Sequence, residues 1–147
     1  MRVSSLDLKA AIASARRQNV AVLDQEAHDI KVQAVASASP AVFGRGQARI
    51  DLTIEPQRLT LPLANGRRTG QLDIAIYCGD AKQNLVGELK ESIDLDLSEE
   101  EYQQAVTKGL RYTLRVPISA DAAFAKVIVY DFATDRAGTA MVKIPAR

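Results

Sequence analysis

Over most of this chain hydrophobic and polar residues alternate with a period of two, and two short stretches depart from that period. The first departure lies between Ser5 and Gln18, where Leu8, Ala11, Ile12 and Ala15 recur at steps of three and four behind Ser4 or Ser5 as a cap. That spacing predicts a short amphipathic helix. Asp7 near its start and Arg16-Arg17 near its end suit the helix dipole, and Asn19 is a stop signal. From His28 the period becomes two: Ile30, Val32, Ala34 and Ala36 alternate with Lys31, Gln33 and Ser37, and Ser39-Pro40 ends the run. Next, Ala48, Ile50, Leu52 and Ile54 face one way while Arg49, Asp51, Thr53 and Glu55 face the other, until Pro56. Leu59, Leu61 and Leu63 predict a shorter strand, placed at an edge by Pro62. After the turn signal Ala64-Asn65-Gly66 and a polar loop from Arg67 to Gly70, Leu72, Ile74, Ile76 and Cys78 alternate again. Gly79-Asp80 and Gln83-Asn84 bracket a loop into a return strand from Leu85 to Leu95, in which Gly87 signals a bulge or bend.

The second departure is at Leu97. Ser98-Glu99-Glu100-Glu101 forms a capping box with Leu97 and Tyr102 placed as a hydrophobic staple, and Gly109 supplies the stop. A short helical turn is predicted there. Beyond it Leu110, Tyr112, Leu114, Val116 and Ile118 alternate with Arg111, Thr113 and Arg115. The strand from Phe124 to Tyr130 is apolar on both faces and therefore central, and a last strand runs from Thr139 to Ile144. The chain thus divides into an N-terminal lead-in over 1–26 and a sandwich over 27–147. The expected fold is all-β, an immunoglobulin-like antiparallel β-sandwich of about seven to eight strands.

Composition narrows function mainly by exclusion. The 147 residues fit one domain, and 19 basic against 18 acidic side chains leave a formal charge of +1. Apart from Arg16-Arg17 and Arg67-Arg68 the charges are interspersed, so no footprint for nucleic acid is expected. The lone Cys78 forms no internal disulfide and offers no metal-ligand pair. Met1 to Ser5 run into charged residues rather than an apolar core, so neither a signal peptide nor direct membrane insertion is expected from this stretch.

The C-terminal third carries a family resemblance. Leu95-Asp96-Leu97-Ser98-Glu99-Glu100-Glu101-Tyr102, then Lys108-Gly109-Leu110-Arg111-Tyr112, then Val127-Ile128-Val129-Tyr130-Asp131-Phe132-Ala133-Thr134-Asp135-Arg136-Ala137-Gly138-Thr139 follow one another in sequence. This order resembles the C-terminal β-sandwich module of bacterial proteins related to the von Willebrand factor A domain. The resemblance implies a non-catalytic accessory module and an extracytoplasmic setting if it belongs to a longer exported parent. It implies no metal site, because the D-x-S-x-S motif of the A domain is missing from this sequence.

No reaction is written in the remaining candidates. His28 is the single histidine, so any Ser-His-Asp or Cys-His arrangement depends on it, and no serine sits in a Gly-x-Ser-x-Gly elbow. Cys78 belongs to the inward series of its strand and reads as a small buried hydrophobe. Asp80, Asp121, Asp131 and Asp135 occupy predicted turns, where they gather as oxygen ligands only if those turns share one end of the sandwich. Phe43, Tyr77 and Phe132 are the aromatics placed near loops or on a polar strand face, and they form the candidate contact patch. The expected function is therefore protein–protein contact or structural spacing, without catalytic residues, cofactor or metal. The alternative is a carbohydrate- or calcium-dependent ligand module.

Overall fold

In the computed structural model the described residues are 30–59, 61–131 and 136–145. The predicted helix over 5–18, the lead-in over 1–26 and His28 lie outside them. Eight strands follow in order: β1 Val32–Val42, β2 Arg45–Ile54, β3 Leu63–Ala64, β4 Arg67–Gly79, β5 Leu85–Ser98, β6 Leu110–Ile118, β7 Phe124–Asp131 and β8 Arg136–Lys143. A 3-10 turn, Pro56–Arg58, precedes β3, and the helix α1, Glu99–Lys108, joins β5 to β6.

The strands form two antiparallel sheets, β1-β2-β6 and a five-stranded layer in which β4 pairs with β3, β5 and β7, and β7 pairs with β8. The chain is an all-β, immunoglobulin-like sandwich. Because β5 follows β4 from Arg67↔Ser98 to Gly79↔Leu85, β3 and β7 share the opposite edge of β4. The inward series interdigitate between the layers: Ile50, Ile54, Ile76, Val116, Val127 and Val129 are completely buried. Each such side chain contributes about 1.5–3 kcal/mol of transfer free energy, which is why the alternation fixes the register so firmly.

Several elements depart from expectation for local reasons. β1 runs through Ser39 and Pro40 to Val42, and a register shift between Ser39 and Val42 absorbs the proline. Among the described residues of the predicted Leu59 strand, Leu63 and Ala64 form ladder pairs, with Arg68 and Arg67; Leu59 and Leu61 are buried in irregular backbone after the 3-10 turn. The polar stretch Arg67 to Gly70 is the start of β4 rather than a loop, extended because Leu95 to Ser98 of β5 pair with it. Arg68 fastens this overhang: its guanidinium donates to Leu61 O at 3.1 Å and to Glu99 Oε2 at 2.9 Å, and lies 4.2 Å from the Tyr102 ring centroid.

The capping box of α1 is complete. Ser98 Oγ accepts from the Glu101 amide at 3.1 Å, and the Ser98 amide donates to Glu101 Oε1 at 2.9 Å. The bond from the Ser98 backbone, and after it the Ser98 side chain, holds the Glu101 carboxyl below its ordinary value. Gly109 ends the helix at φ 83, where a Cβ would lie 2.4 Å from Thr53 Cγ2. A larger residue fails there on both counts.

Candidate functional site

Antiparallel strands deliver their loops alternately to the two ends of the sandwich. One end carries the β1–β2 turn, the β4–β5 loop and the β6–β7 segment; α1 and the 3-10 turn lie at the other. The candidate site occupies the first of these ends.

Its most exposed large hydrophobic side chain among the described residues is Phe43, with 99% of its surface in water. Val42 pairs with Arg45 across a two-residue turn in which Phe43 has φ 53 and Gly44 φ 72. Positive φ at both central positions is the twist-matched hairpin turn that Asn-Gly normally fills. A phenylalanine in the left-handed region costs about 1–2 kcal/mol, and at 99% exposure its ring gains almost no burial against the described residues in return.

The β4–β5 loop is built by Asp80. Asp80 Oδ1 accepts from the Asn84 amide at 2.8 Å and the Lys82 amide at 2.9 Å, and Oδ2 accepts from Asn84 Nδ2 at 3.2 Å. The bond from the Asn84 backbone is the foremost reason its carboxyl sits below the usual carboxylate range. Its oxygens are committed to loop closure. Beside the loop, Asp80, Ala81, Gln83, Ala123, Phe124, Met141 and Lys143 line a groove of about 500 Å³. Phe124 is half-buried, its ring lying against Gly79, where a Cβ would fall 2.4 Å from the ring; Met141 is 44% exposed.

The other candidates separate. Asp121 is exposed on the β6–β7 segment at the same end as Asp80. Asp131 terminates β7 at the far end, 3% exposed, opposite Leu72 and Arg136. The eight residues of β7 lie between the two ends, on the order of 25 Å at about 3.3 Å per residue. Asp131 therefore does not converge with Asp80 and Asp121. Phe132 and Asp135 lie outside the described residues. Among the described residues no three His, Cys, Asp or Glu side chains gather into a metal site.

Tyr77 corrects the expectation of a surface aromatic, being only 1% exposed. It faces away from the inter-sheet core, yet β5 and β7 flank it on either side, and Ala75, Ile128, Leu85 and Phe124 form a second apolar cluster around it. Lys126, its register partner in β7, is equally buried. Cys78 is fully buried in the main core, and burial pushes its thiol up to about 12. The groove was not visible in the sequence; the alternation of Met141 and Lys143 onto one face of β8 was its only signal.

The class that these observations define is the immunoglobulin-like β-sandwich. No protein-family profile matches the chain, and no curated protein does. Among solved structures, the fold is similar to part of a glycosyl hydrolase family 2 member from Bacteroides cellulosilyticus DSM 14838, with TM-score 0.53 and 8% identity over 80% of this chain. A second structure of a family 2 member from Bacteroides cellulosilyticus gives TM-score 0.52 and 8% identity, again over 80% of this chain. The chain spans only 15% and 14% of those hydrolase chains, and at such identity the likeness is one of fold alone.

Proposed function

We propose that this chain is a non-enzymatic, immunoglobulin-like accessory module that works by protein–protein contact, with structural spacing between neighbouring domains as its minimal form. The observation that carries the reading is Phe43, an aromatic held in an unfavourable backbone conformation and left wholly exposed at the tip of a hairpin. Rigid aromatic anchors that fill a partner's pocket supply much of the binding energy of protein interfaces. The resemblance to the sandwich module of proteins related to the von Willebrand factor A domain supports an accessory role. The family 2 neighbours are compatible with it, since the matching part is a small share of each hydrolase chain.

The test replaces Phe43 with a photo-reactive phenylalanine analogue, irradiates the intact protein in its native host, and identifies adducts by mass spectrometry. A discrete protein adduct at position 43, absent when the probe sits at Gln33, is expected. No adduct above that control refutes the contact reading. In parallel, the purified chain is assayed against a panel of nitrophenyl glycosides and esters; turnover that tracks the protein and is lost on a single carboxylate substitution refutes the non-enzymatic reading.

The groove of about 500 Å³ favours a second reading, small-ligand binding, because ligand sites are of that order. A glycan that raises the melting temperature would support it. A calcium-induced shift is not expected, because Asp80 already spends its oxygens on its own loop.

A further inference from the structure

We infer that the outer face of the five-stranded sheet is the docking surface for the chain's own N-terminal segment, the amphipathic stretch from Ser5 to Gln18, seated lengthwise over β4 and β7 by its stripe of Leu8, Ala11, Ile12 and Ala15. The inference goes beyond the contact reading and does not depend on it. Residues paired across antiparallel strands share a face, so Tyr77, Lys126 and Met141 form one row on the side turned away from the inter-sheet core. On this face Ala75 and Tyr77 of β4 and Lys126, Ile128 and Tyr130 of β7 are all buried, at 8% exposure or less. The margins are open, since Lys90 on β5 and Met141 and Lys143 on β8 are exposed. A lysine on a bare sheet face extends its stem until the ammonium reaches water. Lys90 and Lys143 are placed to do so, whereas Lys126 is 1% exposed. A cover therefore lies over the two central strands. These exposures are those of a single chain, so the cover is drawn from it.

The buried strip has the width of one helix. Strands lie about 4.8 Å apart and a helix with its side chains is about 10 Å across, so a helix laid along β4 and β7 covers both and leaves β5 and β8 to solvent. The lengths agree as well: Ser5 to Gln18 makes a helix of roughly 21 Å, against roughly 25 Å for β7. No described element supplies the cover. β7 packs chiefly on β4 and β8 in its own sheet and on β1 across the core, while α1 lies against β5 and the start of β4 at the far end. The chain enters the described part beside the strip, where the Ile30 amide donates to Ala137 O at 3.2 Å and Ala137 pairs with Tyr130. Extended, residues 19–29 reach up to about 36–40 Å, and β4 is only two strand spacings, about 10 Å, from β8. Residues 132–135 and 146–147 are too few to span both strands. Two alanines in the stripe let a helix settle closely over the Tyr77 ring and Ile128, which the period of the segment alone could not have located.

The test is amine labelling of the full chain with an acylating reagent, read lysine by lysine by mass spectrometry, with Cys78 in the main core as the monitor of global folding. In the wild type Lys90 and Lys143 should label quickly while Lys126 and Cys78 stay protected. In the double variant Leu8→Asp, Ile12→Asp the segment loses its apolar stripe, and Lys126 should then label at the rate of Lys90 while Cys78 remains protected. A wild-type Lys126 that labels as fast as Lys90 overturns the inference, and so does a Lys126 that stays protected in the double variant. Where the double variant also exposes Cys78, a second measurement decides: a photo-reactive diazirine residue in place of Leu8, irradiated in the otherwise native chain. An adduct within the same chain on β4 or β7 supports the docking. An adduct elsewhere, an adduct joining two chains, or no adduct overturns it.

Discussion

Replacing Gly87 by alanine should loosen the seam where β5 meets β6. An added Cβ would lie 2.5 Å from Pro117 O, 2.9 Å from Ile118 Cγ2 and 3.3 Å from Val116 Cγ1. The nearest of these atoms is backbone, and its strand is fixed by the β2–β6 ladder through Gln47↔Pro117. Relief must come from parting β5 and β6. That motion strains the join beside it, where the Ser119 amide donates to Val86 O at 2.9 Å and Ser119 Oγ donates to the same oxygen at 3.2 Å. Overpacking of this kind costs about 1–3 kcal/mol, and the entropy that alanine removes from the unfolded chain returns about 0.4–1 kcal/mol. A net loss of ~1–2 kcal/mol lowers the melting temperature of a domain this size by roughly 3–8 °C. Calorimetry or thermal circular dichroism measures it. Ser119→Ala in the Gly87→Ala background should cost less than in the wild type, because the strained join is already weakened. A Gly87→Ala melting temperature equal to or above wild type would refute the steric argument.

Ser98→Ala should destabilise by about 0.5–2 kcal/mol, read by urea unfolding, because it orphans the Glu101 amide. Acid should destabilise the fold through Asp80 and Glu101, whose folded carboxyls are held below their ordinary values. Their contribution is present above the unfolded pKa values, near 4, and is lost as pH falls through the depressed folded values; Glu101→Gln should flatten that part of the stability–pH curve. Cys78, with its thiol pushed up to about 12, should resist a thiol reagent at pH 8 until the chain unfolds, so that labelling follows the unfolding curve.

Strands with an apolar face against the inter-sheet core were the most legible part of the sequence. β2 and β6 alternate cleanly because each presents one face to the core and the other to water. The capping box of α1 was legible because it needs only four consecutive residues. Tyr77 escapes the alternation because both faces of β4 are buried towards Gly79, so a period of two no longer distinguishes core from surface. The site depended on β3. Counting Leu59 to Leu63 as a strand that crosses the sandwich reverses the end to which each later loop is assigned, and it separates Phe43 from the Asp80 loop. With β3 reduced to Leu63 and Ala64, the two fall at one end. Asp131 could be placed without that knowledge, because it and Asp121 lie at opposite ends of a single strand.

The β2–β6 pairing has a consequence for the time course of folding. Gly46 pairs with Ile118 and Ile54 with Leu110, so the whole intervening chain must be looped before this ladder can close. The β4–β5 hairpin inside that loop forms from near neighbours in sequence. Loop-closure entropy therefore postpones β6, and with it the smaller sheet, to a late step of a reaction expected on the millisecond-to-second scale of β-sandwiches. Until β6 docks, β2 presents an unpaired edge and the apolar face of Ile50, Leu52 and Ile54 to other chains, and stopped-flow refolding at increasing protein concentration would register that interval as a growing loss of yield.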